Sequence, residues 1–148
     1  MKDYKLLFEQ CKQCIDDNLP LVSVLSNLSA VINQLDDINW AGFYLAKGDK
    51  LYLGPFQGEV ACTVIPKGKG VCGTSFEKGE TIVVPNVHEF KGHIACSSKS
   101  KSEIVTPVII DNNVVGVIDI DSPIYDRFHE EEKKLLEEIA NLLSTIKY

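Results

Sequence analysis

The chain has 148 residues, of which 45% are hydrophobic and 24% charged, a composition typical of a globular domain that buries a core without disulfide bonds. Its net charge of −6 argues against a nucleic-acid partner, because binding to a polyanion depends on lysine and arginine. No apolar stretch is long enough to span a membrane, and the first residues lead into an amphipathic segment and not an apolar signal sequence, so we expect a cytoplasmic location.

Apolar residues at three-to-four spacing predict two N-terminal helices, over residues 3–17 and 20–36. Branched and aromatic residues predict strands over 38–46, 51–53, 60–65 and 81–84, with a turn or bulge at 54–58 and a short helix ending near Lys78. A long loop over 85–102 precedes strands over 103–110 and 114–120 and a last helix over 129–146, with Asp126 as its N-cap. Hairpins join most strands, so we predict one α+β domain over residues 1–148, with a central, mostly antiparallel sheet and the N-terminal and C-terminal helices packed on it.

The five cysteines are expected to be mostly reduced at rest, because disulfide bonds are rare in the cytoplasm. An odd number cannot pair fully within one molecule, so a disulfide here is expected to be transient and catalytic. Cys11 and Cys14 form a C-x-x-C motif inside a helical pattern, without a preceding strand or a second ligand pair. We therefore interpret these two as ordinary helix cysteines and not as a redox or metal pair.

Trp40, Gly42 and Tyr44 share one face of the first predicted strand, because side chains alternate along a strand. This face is either part of the core or an aromatic cleft, in which Gly42 leaves room for a ligand between the two rings. The sequence alone does not separate these two interpretations.

A glycine-rich segment, with Gly68, Gly70 and Gly73, matches G-x-G-x-x-G. The next strand ends without the acidic residue that a dinucleotide site requires, which disfavours that interpretation. We interpret the glycines as permitting a tight strand-to-helix turn that brings Cys62 and Cys72 toward one pocket.

Asp119 lies where its strand should still bury apolar side chains, and a carboxylate there is unfavourable unless it is paired or protonated. Glu103 begins the neighbouring strand, and Asp121 shares the face of Asp119. The simpler interpretation, in which Asp121 caps a turn and Glu103 is solvated, fits those two but not Asp119. Clustered acids raise one another's pKa, so one can act as a general acid while the others bind a substrate ammonium group.

Cys96 lies three residues after His93 in a polar loop, a setting that can stabilise a thiolate. Thiol redox chemistry would convert such a cysteine to a sulfenic acid and then to a disulfide, with Cys62 and Cys72 as candidate resolving cysteines. A zinc site built from His88, His93, Cys96 and Cys62 or Cys72 is the alternative, but its spacing is not a typical zinc pattern, and we predict no metal site.

Several motifs together resemble the free methionine-(R)-sulfoxide reductases, a family of single GAF domains, and the resemblance covers nearly the whole chain. They are Trp40–Tyr44, Gly54–Gly58, Ala61–Cys62, Gly68–Gly73, Gly92–Cys96, Ser102–Val105 and Asp119–Asp121. The resemblance implies reduction of free L-methionine-(R)-sulfoxide to L-methionine through a cysteine sulfenic acid and an intramolecular disulfide.

The resemblance also implies roles for single residues. Cys96 matches the attacking cysteine and Cys62 its resolving partner. Cys72 belongs to the same trio of cysteines, and the resemblance does not decide whether Cys96 or Cys72 attacks. Glu103, Asp119 and Asp121 match the acids that hold the substrate amine and protonate the sulfoxide oxygen. Trp40 and Tyr44 match the aromatic walls around the substrate methyl group. Thioredoxin is the implied reductant, no bound cofactor is expected, and the family is often dimeric, so we expect a homodimer.

The sequence departs from the family pattern at Asn86 and Ser97, where aspartate is usual, and these departures bear on rate more than on reaction type. The rival function is a GAF module that senses a small ligand or the redox state without catalysis. A cysteine-based peroxidase is a third, weaker possibility.

Overall fold

A computed structural model describes residues 3–93 and 99–148 of the chain. Its elements are, in order, α1 (Tyr4–Cys14), α2 (Leu21–Ile32), β1 (Trp40–Lys47), β2 (Lys50–Gly58), β3 (Val64–Pro66), α3 (Gly70–Lys78), β4 (Ile82–Val84), a 3-10 turn (Val87–Glu89), β5 (Ser102–Ile110), β6 (Asn113–Ser122) and α4 (Glu130–Leu143). In the described ranges, no helix has the length and apolar character needed to cross a lipid bilayer.

The six strands form one sheet in the order β3-β2-β1-β6-β5-β4, and every neighbouring pair is antiparallel. The predicted α+β class, with an antiparallel sheet and helices packed on it, is therefore confirmed. The centre of the sheet is the pairing of β1 with β6, in which Trp40 lies opposite Asp121 and Gly42 opposite Asp119. This pairing brings the aromatic strand directly beside the acidic one.

Each face of the sheet buries its own apolar cluster. One cluster joins α1, α2 and α4 to side chains such as Phe43, Ile118 and Ile120. The other joins α3 to the opposite face, where Trp40 and Tyr44 lie. The candidate site residues belong to this second face, so α3 and not the long terminal helices covers the site.

The ends of several elements differ from the sequence predictions. Helices α1 and α2 end at Cys14 and Ile32, earlier than predicted, and Ile15 already has an extended backbone. The predicted strand over 60–65 is only the three-residue β3, so Cys62 lies in a loop. Helix α4 begins after His129 and not after Asp126, because the backbone N–H of His129 donates to Glu132 Oε1 at 2.6 Å, a capping interaction.

Gly42 does not leave room for a ligand, which corrects the cleft interpretation of this position. A methyl group at Gly42 would lie 2.3 Å from Phe56 Cβ and 2.9 Å from the Pro55 carbonyl oxygen. The bulge that shifts the β1–β2 register lies between Gly42 and Tyr44, and it presses β2 onto this glycine. The space between the aromatic side chains is therefore filled by the chain itself.

Replacing Gly42 with alanine should destabilise the fold by roughly 3 kcal/mol, because the new methyl group meets backbone and Cβ atoms that cannot rotate away. Urea denaturation of the variant and the wild type measures this difference. Gly54→Ala is the matched control, since its methyl group would come no closer than 3.1 Å to any atom and should cost about 1 kcal/mol. Equal stability of Gly42→Ala and the wild type would contradict the packing at the bulge.

Candidate active site

Three carboxylates meet where β5 and β6 pair, on the face covered by α3. Glu103 lies directly opposite Asp121, and Asp119 is two residues away on the same face of β6. Glu103 and Asp119 are buried, with exposed fractions of 7% and 5%, while Asp121 is half-buried. Like charges directly opposite one another across a sheet are destabilising, so this arrangement is costly unless protons or a ligand compensate for it.

Burial and mutual repulsion change the protonation of all three acids. Burial raises the pKa of Glu103 well above its ordinary value, and the charges of Asp119 and Asp121 raise it further. Burial and the charge of Asp119 likewise raise the pKa of Asp121 well above its ordinary value. Burial raises the pKa of Asp119 too, although hydrogen bonds from Glu103 and Cys72 oppose the shift. The group therefore shares protons at pH values where isolated carboxyl groups would be fully ionised.

Cys72 enters the same cluster from the first turn of α3. Gly70 begins this helix with a φ of 63°, and the glycine-rich turn places the thiol against the sheet. Cys72 is a free thiol with an exposed fraction of 4%, and its sulfur lies within 4.8 Å of a carboxylate oxygen of Asp119. Burial and the charges of Asp119 and Glu103 raise the pKa of Cys72 well above its ordinary value. This environment keeps Cys72 protonated and makes it a weak nucleophile.

Trp40 and Tyr44 form the aromatic side of the site, and both are almost fully buried. The ring of Trp40 stacks on those of Phe56 and Tyr44, at centroid distances of 5.1 and 6.0 Å. Their polar atoms hold the loop between β2 and β3: Trp40 Nε1 donates to the Glu59 carbonyl oxygen at 3.1 Å, and Tyr44 Oη donates to the Cys62 carbonyl oxygen at 2.8 Å. The two aromatic residues thus fix the loop that carries Cys62.

Cys62 is half-buried and disulfide-bonded, whereas Cys11, Cys14 and Cys72 are free thiols. Cys96, the predicted attacking cysteine, lies outside the described residues, as does Ser97. Cys11 and Cys14 lie on α1, in or beside the cluster on the other face of the sheet. Burial, followed by the effect of Cys14, raises the pKa of Cys11 to about 12. These two cysteines are therefore remote from the site and belong to the packing of α1.

His93 borders the site, with its Nε2 atom 4.0 Å from Glu103 Oε1. Burial and the neighbouring His88 lower the pKa of His93. The ring is therefore neutral at pH 7 and supplies no positive charge that would stabilise a thiolate. His88 instead packs its ring edge-on against Tyr125, at a centroid distance of 6.4 Å.

The segment that follows residues 94–98 contacts the rest of the site through two pairs of side chains that the sequence did not indicate. Lys99 Nζ lies 2.5 Å from Glu59 Oε1, which links this segment to the loop that carries Cys62. Asn39 Nδ2 donates to Ser100 Oγ at 3.2 Å. Such contacts join residues far apart in sequence, and no local pattern signals them.

These residues surround one cavity of about 40 Å³ beneath α3. Its lining brings together six of the eight predicted site residues that the resemblance singled out: Trp40, Tyr44, Cys72, Glu103, Asp119 and Asp121. The ligand atoms of Cys72, Glu103 and Asp119 lie within 4.8 Å of one another, close enough to share a proton or a cation. Asp119 Oδ1 is buried and has no hydrogen-bond partner in residues 3–93 and 99–148. The cavity is thus built to receive a positively charged or hydrogen-bond-donating group.

Comparison with protein families places this architecture in a known class. Residues 20–146 match the model of the GAF domain, so the chain belongs to the GAF domain family. Among curated proteins, the free methionine-R-sulfoxide reductase of Escherichia coli is 46% identical over 132 residues, covering 86% of this chain and 80% of that protein.

Comparison with solved structures identifies the family within the GAF domains to which the chain belongs. The fRMsr of Staphylococcus aureus in complex with its substrate is 50% identical, with a TM-score of 0.91 and coverage of 97% of this chain and 95% of that one. The free methionine-R-sulfoxide reductase of Neisseria meningitidis in complex with its substrate is 41% identical, with a TM-score of 0.92 and coverage of 97% and 90%. Within the GAF domains, the chain is a member of the free methionine-R-sulfoxide reductase family.

Proposed function

We propose that this chain reduces free L-methionine-(R)-sulfoxide to L-methionine with a pair of cysteines. The observation that carries the proposal is the cavity in which two buried acids and the half-buried Asp121 face an aromatic wall, a composition that suits a ligand with an ammonium group and an apolar end. Two curated relatives named free methionine-R-sulfoxide reductase, each 46% identical, support it. The epimer and the free amino acid are inferred from those relatives, since the described residues alone do not select them.

The acids are proposed to bind the substrate ammonium group. Asp119 offers a buried oxygen without a partner in the described residues, and Asp121 is half-buried in the lining of the same cavity. An ammonium group in this position would relieve the repulsion between the carboxylates. Trp40 and Tyr44 are proposed to pack against the methyl group at the other end of the substrate.

Glu103 is proposed as the acid that protonates the sulfoxide oxygen. Its pKa is raised well above the ordinary value by burial and by both aspartates, so Glu103 keeps its proton to higher pH than an isolated glutamate does. General acids are most effective when their pKa lies near the working pH. The aspartates that raise the pKa would then serve a second purpose, in addition to binding the amine.

Cys96 is proposed as the attacking thiol, in preference to Cys72. Cys72 is buried beside two carboxylates, and burial and their charges raise its pKa well above the ordinary value, so its thiolate is strongly disfavoured. In the proposed reaction, Cys96 loses its thiol proton to solvent and its sulfur attacks the sulfoxide sulfur while Glu103 protonates the oxygen. The S–O bond of the substrate breaks and the hydroxyl group moves to the Cys96 sulfur, so that Cys96 is oxidised to a sulfenic acid and the sulfoxide is reduced to methionine, which leaves.

Cys62 is proposed as the resolving thiol. Its sulfur attacks the sulfenic acid, water leaves, and a disulfide forms that thioredoxin reduces with two electrons. The hydrogen bond from Tyr44 to the Cys62 carbonyl oxygen supports this role, because it fixes the loop beside the cavity. The disulfide-bonded state of Cys62 is consistent with it as well.

We infer that residues 1–148 form a single domain that acts in the cytoplasm without a bound cofactor, as a homodimer. Thioredoxin as the reductant agrees with a disulfide that must be opened once in every turnover.

The deciding experiment follows NADPH consumption with thioredoxin and thioredoxin reductase. Free Met-(R)-sulfoxide, free Met-(S)-sulfoxide and a blocked sulfoxide peptide are offered separately. We expect turnover of the free R form alone, because a blocked amine cannot bind the acids. No turnover with any of them, in protein with intact thiols, would favour the alternative of a GAF sensor module without catalysis.

A further inference from the structure

We propose that Cys72, Glu103 and Asp119 form a binding site for a borderline-soft divalent cation of the Zn²⁺ type at the floor of the cavity. The three residues come from α3, β5 and β6, so three separate elements converge on one point. This site shares Glu103 and Asp119 with the proposed substrate site, so a bound cation would exclude the substrate, and it differs from the histidine set considered from the sequence.

The geometry of the three ligand atoms is close to that of a metal site. One sulfur and two carboxylate oxygens lie within 4.8 Å of one another. Tetrahedral zinc holds such ligand atoms about 3.5 Å apart, given Zn–S and Zn–O distances of about 2.3 and 2.1 Å. Shifts of about 1 Å, which side-chain rotation supplies, would bring the three atoms around one ion.

A second observation points to a ligand at this position. Asp119 is 5% exposed and borders the cavity, and its Oδ1 atom is buried without a hydrogen-bond partner in the ranges 3–93 and 99–148. An unsatisfied buried carboxylate oxygen is unfavourable, and coordination of a cation would satisfy it. On coordination, the Cys72 thiol proton and any proton shared by the two carboxyl groups leave to solvent.

The ligand types select the class of metal. A thiolate favours Zn²⁺ over Mg²⁺ and Ca²⁺, which bind through oxygen atoms alone. Three protein ligands leave a fourth position for water, the pattern of an open and exchangeable site. The cavity of about 40 Å³ has room for an ion and its water.

The proposed site does not depend on the redox state of Cys62. Cys72 is a free thiol in the same structure in which Cys62 is disulfide-bonded. The oxidised and the reduced protein should therefore both bind the metal. A site that used Cys62 as a ligand would lose its metal on oxidation. Metal binding by the oxidised protein therefore distinguishes the proposed site from one that contains Cys62.

Co²⁺ is the probe, because its thiolate complexes absorb through sulfur-to-metal charge transfer. Oxidised and reduced protein are titrated with Co²⁺, and Zn²⁺ is then added to displace it. We expect one equivalent of Co²⁺ with thiolate absorption in both forms. Cys72→Ser should abolish this absorption, and Asp119→Asn should weaken Co²⁺ binding by about tenfold or more.

Cys14→Ser is the matched control, since Cys14 lies on α1 away from the cavity, and it should bind Co²⁺ like the wild type. Circular dichroism verifies that each variant is folded. The proposal is overturned if the oxidised protein shows no thiolate absorption, or if Cys72→Ser keeps it. Binding is read from absorption and not from turnover, so failure of the reductase assay leaves this result unaffected.

Discussion

Replacing Cys62 with serine should leave one round of sulfoxide reduction per protein molecule and prevent the rounds that follow. The first methionine forms because the proposed attacking thiol, Cys96, is still present. Without a resolving thiol, the sulfenic acid persists and the disulfide that thioredoxin reduces does not form. We expect steady-state turnover with thioredoxin to fall by about two orders of magnitude. Quenched-flow measurement of methionine release separates the first round from later ones.

Two variants complete this experiment. Cys14→Ser should keep full turnover, because Cys14 lies on α1 and away from the cavity. Cys72→Ser should keep repeated turnover at a lower rate, since Cys72 lines the cavity but is neither the proposed attacking thiol nor the proposed resolving thiol. Undiminished turnover of Cys62→Ser would remove Cys62 from the mechanism. A single round in Cys72→Ser would assign the resolving role to Cys72 instead.

Replacing Glu103 with glutamine should change activity and stability in opposite directions. The amide cannot protonate the sulfoxide oxygen, so kcat should fall by about 10²- to 10³-fold. The same change removes a buried acid that lies opposite Asp121 and next to Asp119, and it should raise the free energy of unfolding at neutral pH by roughly 1–3 kcal/mol. Activity assays and urea denaturation of the same preparation measure both effects.

The gain in stability should depend on pH in a defined direction. Burial raises the pKa of Glu103 in the folded state well above its ordinary value of 4.5, so the folded state binds more protons than the unfolded state at higher pH. The free energy of unfolding of the wild type therefore falls as the pH rises above about 4.5. The advantage of Glu103→Gln should be small at pH 4 and should grow toward neutral pH.

An exposed acid serves as the control for this variant. Glu80→Gln removes an exposed carboxylate just after α3, and it should change neither kcat nor the free energy of unfolding at neutral pH. If Glu103→Gln lost stability at pH 7, the carboxylate of Glu103 would have to be stabilised by its surroundings. That result would contradict the protonated acid that the proposed mechanism requires.

Hairpins and helices were predictable from the sequence because their signals are local. The turn at Asp111 and Asn112 joins β5 to β6 with positive φ angles of 52° and 64°, which these two residue types adopt readily. The loop that carries Cys62 was predicted as a strand and is not one. It is held by hydrogen bonds from Trp40 and Tyr44 on another strand, and no local pattern records such bonds.

The acidic part of the site followed from strand periodicity, because Asp119 and Asp121 must share a face and Glu103 begins a neighbouring strand. The contact of Cys72 with Asp119 depends instead on which face of the sheet α3 covers. The pairing of Glu59 with Lys99 joins surface charges on two loops. A sequence contains many such pairs of opposite charge, and only the folded chain selects one.

The pairing of β1 with β6 also determines when the site comes into existence during folding. The β1–β2 and β5–β6 hairpins each form from residues close in sequence, but β1 and β6 are far apart along the chain and their pairing is intrinsically slow. One hairpin carries the aromatic residues, and the other carries all three acids. Neither hairpin contains a site by itself, so recovery of activity during refolding should follow the closing of the central strand pair and not the formation of secondary structure.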